Sequence, residues 1–209
     1  MWWRRPTTLG AWRANPTSCH VRYGNVLMPI EIVFETHSTT EDNEAGRATG
    51  WLPGRLSARG REQAAELGRR RAADGLAAVF SSDLARSVET AEIAFAGTSV
   101  PVLYDWRLRE CDYGRLNGAP TEEVHADRLS HLEEPYPNGE SWQQATRRVA
   151  LFLSDLHLRW EGLRVLVIGH VATYWGLERA LKRCDLRSLV QADLHWQEGW
   201  EFLVNELPY

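Results

Sequence analysis

Short apolar runs alternate along the chain with longer segments whose apolar residues recur every three or four positions. Residues 30–34 (Ile-Glu-Ile-Val-Phe) are apolar and β-branched, and predict a buried strand. The polar run 35–46 reads as a loop. Ser57 stands as an N-cap, with Ala64, Leu67 and Gly68 on one helical face, and Asp74-Gly75 closes that helix. Residues 77–80 predict a second strand. Ser82 is placed as the cap of the next helix, with Asp83 in its first turn, where the helix dipole favours an acid. Leu84, Val88, Ala91 and Phe95 form its apolar stripe. Residues 100–103 predict a third strand, and the Pro- and Gly-punctuated stretch 107–137 reads as mixed loop and helix. Trp142, Ala145, Val149, Phe152 and Leu156 mark a long amphipathic helix. Residues 164–168 (RVLVI) are apolar nearly throughout, as a strand covered on both faces requires. A further helix over about residues 172–181 and an edge strand within 197–207 complete the chain.

Strands alternating with helices predict an α/β fold with a mostly parallel sheet. With 209 residues and no internal repeat, one domain over 29–209 is the economical organisation. The net charge of −4 argues against a general nucleic-acid binder, so an anion site has to be a local arginine cluster. Cys19, Cys111 and Cys184 are odd in number and widely spaced, which argues against a disulfide framework or a zinc site and for a reducing, cytoplasmic setting. No stretch approaches membrane-spanning length. Residues 1–28 carry Arg4, Arg5, Arg13 and Arg22, no acid and no apolar signal core. They read as a disordered or non-native extension, with Met28 as the start residue and an amphipathic transit peptide as the lesser alternative.

Ligands of open parallel sheets bind beyond the carboxyl ends of the strands. The first strand runs into Thr36-His37-Ser38, the second into Ser81-Ser82-Asp83 with Arg86 one turn on, and the fourth into Gly169-His170. Two histidines and an arginine at one sheet edge suit phosphate chemistry. A neutral imidazole is nucleophilic near neutral pH, and guanidinium matches phosphate oxygens.

Five ordered blocks from residue 30 to residue 181 resemble those of the histidine phosphatase (phosphoglycerate mutase-like) superfamily. In VFETHSTTEDNEAGRATGWLPGRLSARGREQA, His37, Asn43, Gly50, Trp51, Leu56, Ser57, Gly60, Gln63 and Ala64 stand at the family's spacings. VFSSDLARSVETA, LRECDYGRLNG, PNGESWQQATRRV and VLVIGHV resemble the later blocks. The resemblance implies a three-layer α/β/α fold. It implies that His37 attacks phosphorus, Glu110 protonates the leaving oxygen and then helps activate water, and Arg86 and His170 hold the phosphoryl oxygens. Thr36, Ser38, Asn43 and Trp51 are implied around the substrate. Asn43 reads equally as a turn residue, Trp51 equally as core, and Gly139-Glu140-Ser141 as a helix start.

The family's arginine before the nucleophile is Thr36 here, its following glycine is Ser38, and Val171 stands after the second histidine. A charge-assisted contact to phosphate is worth about 1.5–3 kcal/mol, so its loss in the transition state would slow the reaction roughly ten- to a hundredfold. Arg47, Arg55 or Arg109 could fill the gap, or the hydroxyls of Thr36, Ser38 and Thr39 could donate instead. Glu35 adds a negative charge near the nucleophile unless strand alternation turns it away. The expected function is a metal-independent, cofactor-free phosphatase for a small phosphorylated metabolite, without nucleic-acid or membrane partners. The resemblance leaves the oligomeric state open, a homodimer being common among such proteins. The alternatives are a phosphomutase and a catalytically weak phospho-ligand-binding module.

Overall fold

A computed structural model of the protein describes residues 28–192 and 194–205. The expected N-terminal extension therefore lies outside the described residues, except for Met28. In chain order the elements are β1 (Ile30–Thr36), α1 (Glu41–Glu44), α2 (Ala58–Arg71), β2 (Ala78–Ser81), α3 (Ala85–Ala94) and β3 (Val102–Tyr104). There follow α4 (Thr121–Asp127), α5 (Trp142–Arg159), β4 (Arg164–Gly169), α6 (Val171–Lys182), α7 (Leu186–Gln191) and β5 (Trp200–Val204). The sheet order is β3-β2-β4-β1-β5, parallel except for the antiparallel edge strand β5.

Period-two alternation sends successive strand residues to opposite faces and so creates three layers. Ile30, Ile32, Phe34, Phe80, Val165 and Val167 pack under Val149, Phe152, Leu153 and Leu156 of α5 and Leu177 of α6. Val33, Val79, Leu166 and Ile168 pack against Leu67 of α2 and Ala91, Ala94 and Phe95 across α3 and its end. A third cluster, including Cys111, Tyr113, Tyr136, Trp142 and Trp175, fixes the excursion between β3 and α5. β1 and β4 are neighbours, yet the chain leaves β1 for the α2 face and β4 for the α6 face. That divergence opens a crevice at their carboxyl ends, the usual ligand position in such sheets.

Several boundaries differ from the sequence expectation. Ser82 is not the cap of α3. Its N–H continues the β2–β4 ladder to Ile168 O (3.0 Å), which keeps it extended, and Leu84 is the N-cap without a side-chain bond. Ser82 Oγ accepts instead from Leu84 N (3.3 Å), and Asp83 leaves the helix start to pair with Arg109. The run 35–46 is not all loop: β1 extends to Thr36 opposite Gly169, and a capping box between Thr40 and Asn43 builds the single turn α1. β3 is shifted to Val102–Tyr104 by its register with β2, where Val79 pairs with Val102. The short α7, capped by Asp185, was not anticipated. Ser57 and Ser141 cap α2 and α5, the latter through a capping box with Gln144. Glu35 points away from the crevice and pairs with Arg70 (3.0 Å) and Arg71 (2.6 Å) of α2.

Candidate active site

β1 delivers His37 and β4 delivers His170 side by side, because Thr36 pairs with Gly169 and His37 N donates to Gly169 O at 2.9 Å. The two imidazole centroids are 4.9 Å apart. His37 Nδ1 lies 2.8 Å from Ser38 O. A carbonyl can only accept, so it holds the proton on Nδ1 and leaves Nε2 unprotonated, as an acceptor. Burial and the neighbouring Arg86 charge push the His37 pKa down to about 3, against the bond to Ser38 O, so the ring is neutral at neutral pH.

Arg86, in the first turn of α3, is 2 % exposed and lies between the histidines. Its Nε donates to His37 Nε2 and its Nη2 to His170 Nδ1, each at 3.2 Å. Its orientation is set from behind by Gly50 O (2.9 Å to Nη2) and Leu52 O (3.2 Å to Nη1). With Arg86 donating to Nδ1, His170 Nε2 is the protonated nitrogen, and it donates to Ser87 Oγ at 3.2 Å. Burial and the Arg86 charge hold the His170 pKa well below the ordinary histidine value. Thr90 fixes the turn after the nucleophile: its hydroxyl donates to Arg86 O (2.7 Å) and accepts from Ser38 N (3.1 Å).

Glu110 is buried, and burial raises its carboxyl pKa despite bonds and positive charges that oppose the shift. Glu110 Oε1 accepts from Cys111 N (2.9 Å) and from Ala172 N (3.1 Å) in the first turn of α6. A protonated carboxyl oriented in this way can act as a general acid. Its backbone carbonyl accepts from Trp51 Nε1 (2.6 Å) and Arg148 Nη2 (2.8 Å). Arg148 also pairs with Glu140 at 2.7 Å.

The remaining predicted residues fall as follows. Thr36 ends β1, half-buried. Ser38 is buried, with its backbone engaged at both polar atoms. Asn43 Oδ1 accepts from Thr40 N (3.0 Å), so this side chain caps α1. Trp51 is half-buried, with Arg109 over its ring at 4.6 Å. Arg109 is held by Asp83 through two bonds (2.6 and 2.7 Å), and Arg47 donates to Gly118 O. Among the described residues no group of three or more His, Cys, Asp or Glu side chains could hold a metal ion.

Sequence reasoning did not single out Ser87, Thr90, Arg148 or the carbonyls of Gly50 and Leu52. Arg148 had a legible signal: it sits beside Val149, between the apolar positions Ala145 and Phe152 of α5, where a charge demands a partner. The carbonyls had none, because any residue supplies one.

A parallel-sheet crevice holding two neutral histidines, a buried arginine and a carboxyl of raised pKa defines a class of proteins built to handle a phosphoryl group. The chain belongs to the histidine phosphatase superfamily (branch 1), whose profile matches residues 32–196. It is 30% identical over 191 residues to a probable phosphoglycerate mutase GpmB of Citrobacter koseri, covering 81% of this chain and 86% of that one. Among solved structures it is similar to Bacillus stearothermophilus YhfR, with TM-score 0.71, 29% identity and coverage of 81% and 88% of the two chains. A mycobacterial glucosyl-3-phosphoglycerate phosphatase is also similar, with TM-score 0.67, 26% identity and coverage of 78% and 84%.

Proposed function

We propose that this protein is a phosphatase that hydrolyses a small phosphorylated metabolite through a phosphohistidine on His37, with no metal or cofactor. The carrying observation is the His37 ring, anchored through Nδ1 on Ser38 O at 2.8 Å, neutral, and presenting Nε2 to Arg86. Nε2 attacks phosphorus as the bond to the leaving oxygen breaks, and Glu110 gives that oxygen its proton. Water then attacks the phosphohistidine, passes a proton to the Glu110 carboxylate, and the N–P bond breaks to release inorganic phosphate. Arg86 and His170 hold the phosphoryl oxygens through both steps, His170 through Nδ1–H in the tautomer in which the Ser87 hydroxyl donates to its Nε2.

Hydrolysis is favoured over phosphate return to the product by the state of the nearby cations. A mutase retains a doubly phosphorylated intermediate, which calls for further free positive charge. Here Arg109 is bound to Asp83 and Arg148 to Glu140. In this reading Thr36 leaves Arg86 as the principal charge on the phosphate. The reading also places the protein in the cytoplasm, in keeping with free Cys111 and Cys184. No helix among the described residues is long and apolar enough to cross a membrane. A homodimer belongs to the same proposal. The open edge of β3, with Leu103, Tyr104 and Trp106 exposed, offers it a surface, and sedimentation velocity would read it.

The test is hydrolysis of an aryl phosphate and a panel of metabolite phosphates in EDTA by the wild type and by His37→Ala. Turnover by the wild type alone supports the reading. Equal inertness of two folded proteins across the panel, with phosphate still bound, would make the site a phospho-ligand-binding module.

A further inference from the structure

Arg86 owes its direction to the carbonyls of Gly50 and Leu52, and Glu110 has its backbone carbonyl capped by the indole of Trp51. All three contacts come from one irregular loop. That loop is fastened to the excursion after Glu110 by backbone bonds at its start, Ala48 N to Ala119 O (2.9 Å) and Gly118 N to Ala48 O (2.7 Å), and at Trp51 N by the side chain of Asn117. Asn117 Oδ1 accepts from Trp51 N (3.3 Å) and from Tyr113 N (3.0 Å), while Asn117 Nδ2 donates to Asp112 Oδ1 (2.6 Å). Asp112 Oδ1 also accepts from Gly114 N at 2.9 Å. Two backbone donors facing Oδ1 and a carboxylate facing Nδ2 fix which way the amide points. The approach is close enough that Gly50, with φ +55°, admits no side chain: a Cβ there would overlap Asn117 Oδ1.

We propose that Asn117 is a positioning residue for phosphoryl transfer, clamping the 50–52 loop so that Arg86 and Glu110 stand in register with His37. It makes no hydrogen bond to His37, Arg86 or the Glu110 carboxylate, so it acts through Trp51 and Gly50. Asn is the side chain the clamp requires. Leu or Ala offers neither half of the amide. Asp keeps the acceptor but sets a second carboxylate against Asp112, and the donor returns only when the pair shares a proton.

This inference rests on the phosphoryl-transfer reading of the site, so the test reads anion binding as well as turnover. The full chain and its Asn117→Ala and Asn117→Asp variants are compared for kcat and KM on the best ester, for calorimetric affinity toward inorganic phosphate, and for thermal midpoint. Asn117→Ala is expected to lower kcat at least tenfold and weaken phosphate at least fivefold, equally at every pH. Asn117→Asp is expected to match it at neutral pH and to recover toward wild type as the pH falls into the carboxylate range. Variants with a lower midpoint but unchanged kcat, phosphate affinity and pH profile overturn the inference and leave Asn117 a structural residue. If Asn117→Ala does not fold, a pH-independent Asn117→Asp/wild-type ratio does the same. A wild type that binds phosphate but turns over no ester ends the phosphatase reading alone, and the affinity arm still decides the clamp. A wild type that neither binds phosphate nor turns over an ester overturns both.

Discussion

The Nε of Arg86 lies 3.2 Å from Nε2 of His37, so the guanidinium that would receive a phosphate also faces the nitrogen that would attack it. Arg86 uses four of its five N–H donors on two imidazoles and two carbonyls, and the fork geometry makes all four possible at once. Lysine keeps the charge and loses the fork. Arg86→Lys is expected to lower kcat/KM by roughly ten- to a hundredfold, the loss of about 1.5–3 kcal/mol of charge-assisted bonding. Steady-state kinetics on the best ester checks it, and a change below threefold would contradict the assigned role.

Thr36 stands at the end of β1 beside the nucleophile, where the family resemblance leads one to expect arginine. If the missing charge limits the rate, Thr36→Arg is expected to raise kcat/KM roughly ten- to a hundredfold by restoring one charge-assisted contact. An unchanged or lower rate in a folded variant would mean that this pocket is built around the threonine.

Glu110 is protonated more readily than an ordinary carboxyl because burial outweighs the neighbouring positive charges. Its proton matters most when the leaving oxygen is basic. Glu110→Gln should therefore cost about 10²–10⁴-fold on an alkyl phosphate and much less on a nitrophenyl phosphate. Equal losses on both esters would remove Glu110 from the acid role. The wild-type profile of kcat/KM should fall on the alkaline side as Glu110 ionises. On the acid side the His37 limb should lie near pH 3 rather than 6.5.

The same shifts bear on stability. His37 and His170 have folded pKa values below the unfolded 6.5, so their contribution is complete above pH 6.5 and is lost as the pH falls toward the folded values. Each gives at most about 1.4 kcal/mol per pH unit in that window. Glu110 has the opposite sign, because its folded pKa is raised: its contribution is present below pH 4.5 and is lost as the pH rises through the folded value. Urea unfolding from pH 7 to pH 5 should show the wild type losing stability faster than His37→Gln, by up to one proton. Parallel curves would contradict a neutral buried His37.

Much of this site could be read along the chain. His37, Arg86 and His170 meet in one crevice, because strand ends and helix starts are fixed by local patterns and parallel topology brings those ends together; Glu110, in the irregular stretch after β3, is reached only through the family resemblance. Asn43 reads equally as a phosphate ligand or a turn residue, and in the fold its Oδ1 caps α1 through a local bond to Thr40 N. What the chain does not show is what long-range contacts decide. Ser82 has the chemistry of a helix cap, but pairing with β4 holds it in the sheet.

By itself the sequence determined the alternation of strands and helices, the two histidines at strand ends and the family blocks, because hydrophobic period and residue chemistry are properties of neighbours along the chain. Only the tertiary structure decided that Glu35 turns away to Arg70 and Arg71, that Arg109 is committed to Asp83, and that Asn117 ties Trp51 to the segment bearing Glu110. Those outcomes depend on which buried polar groups find partners from distant segments, and a buried charge or amide is stable only where such a partner stands.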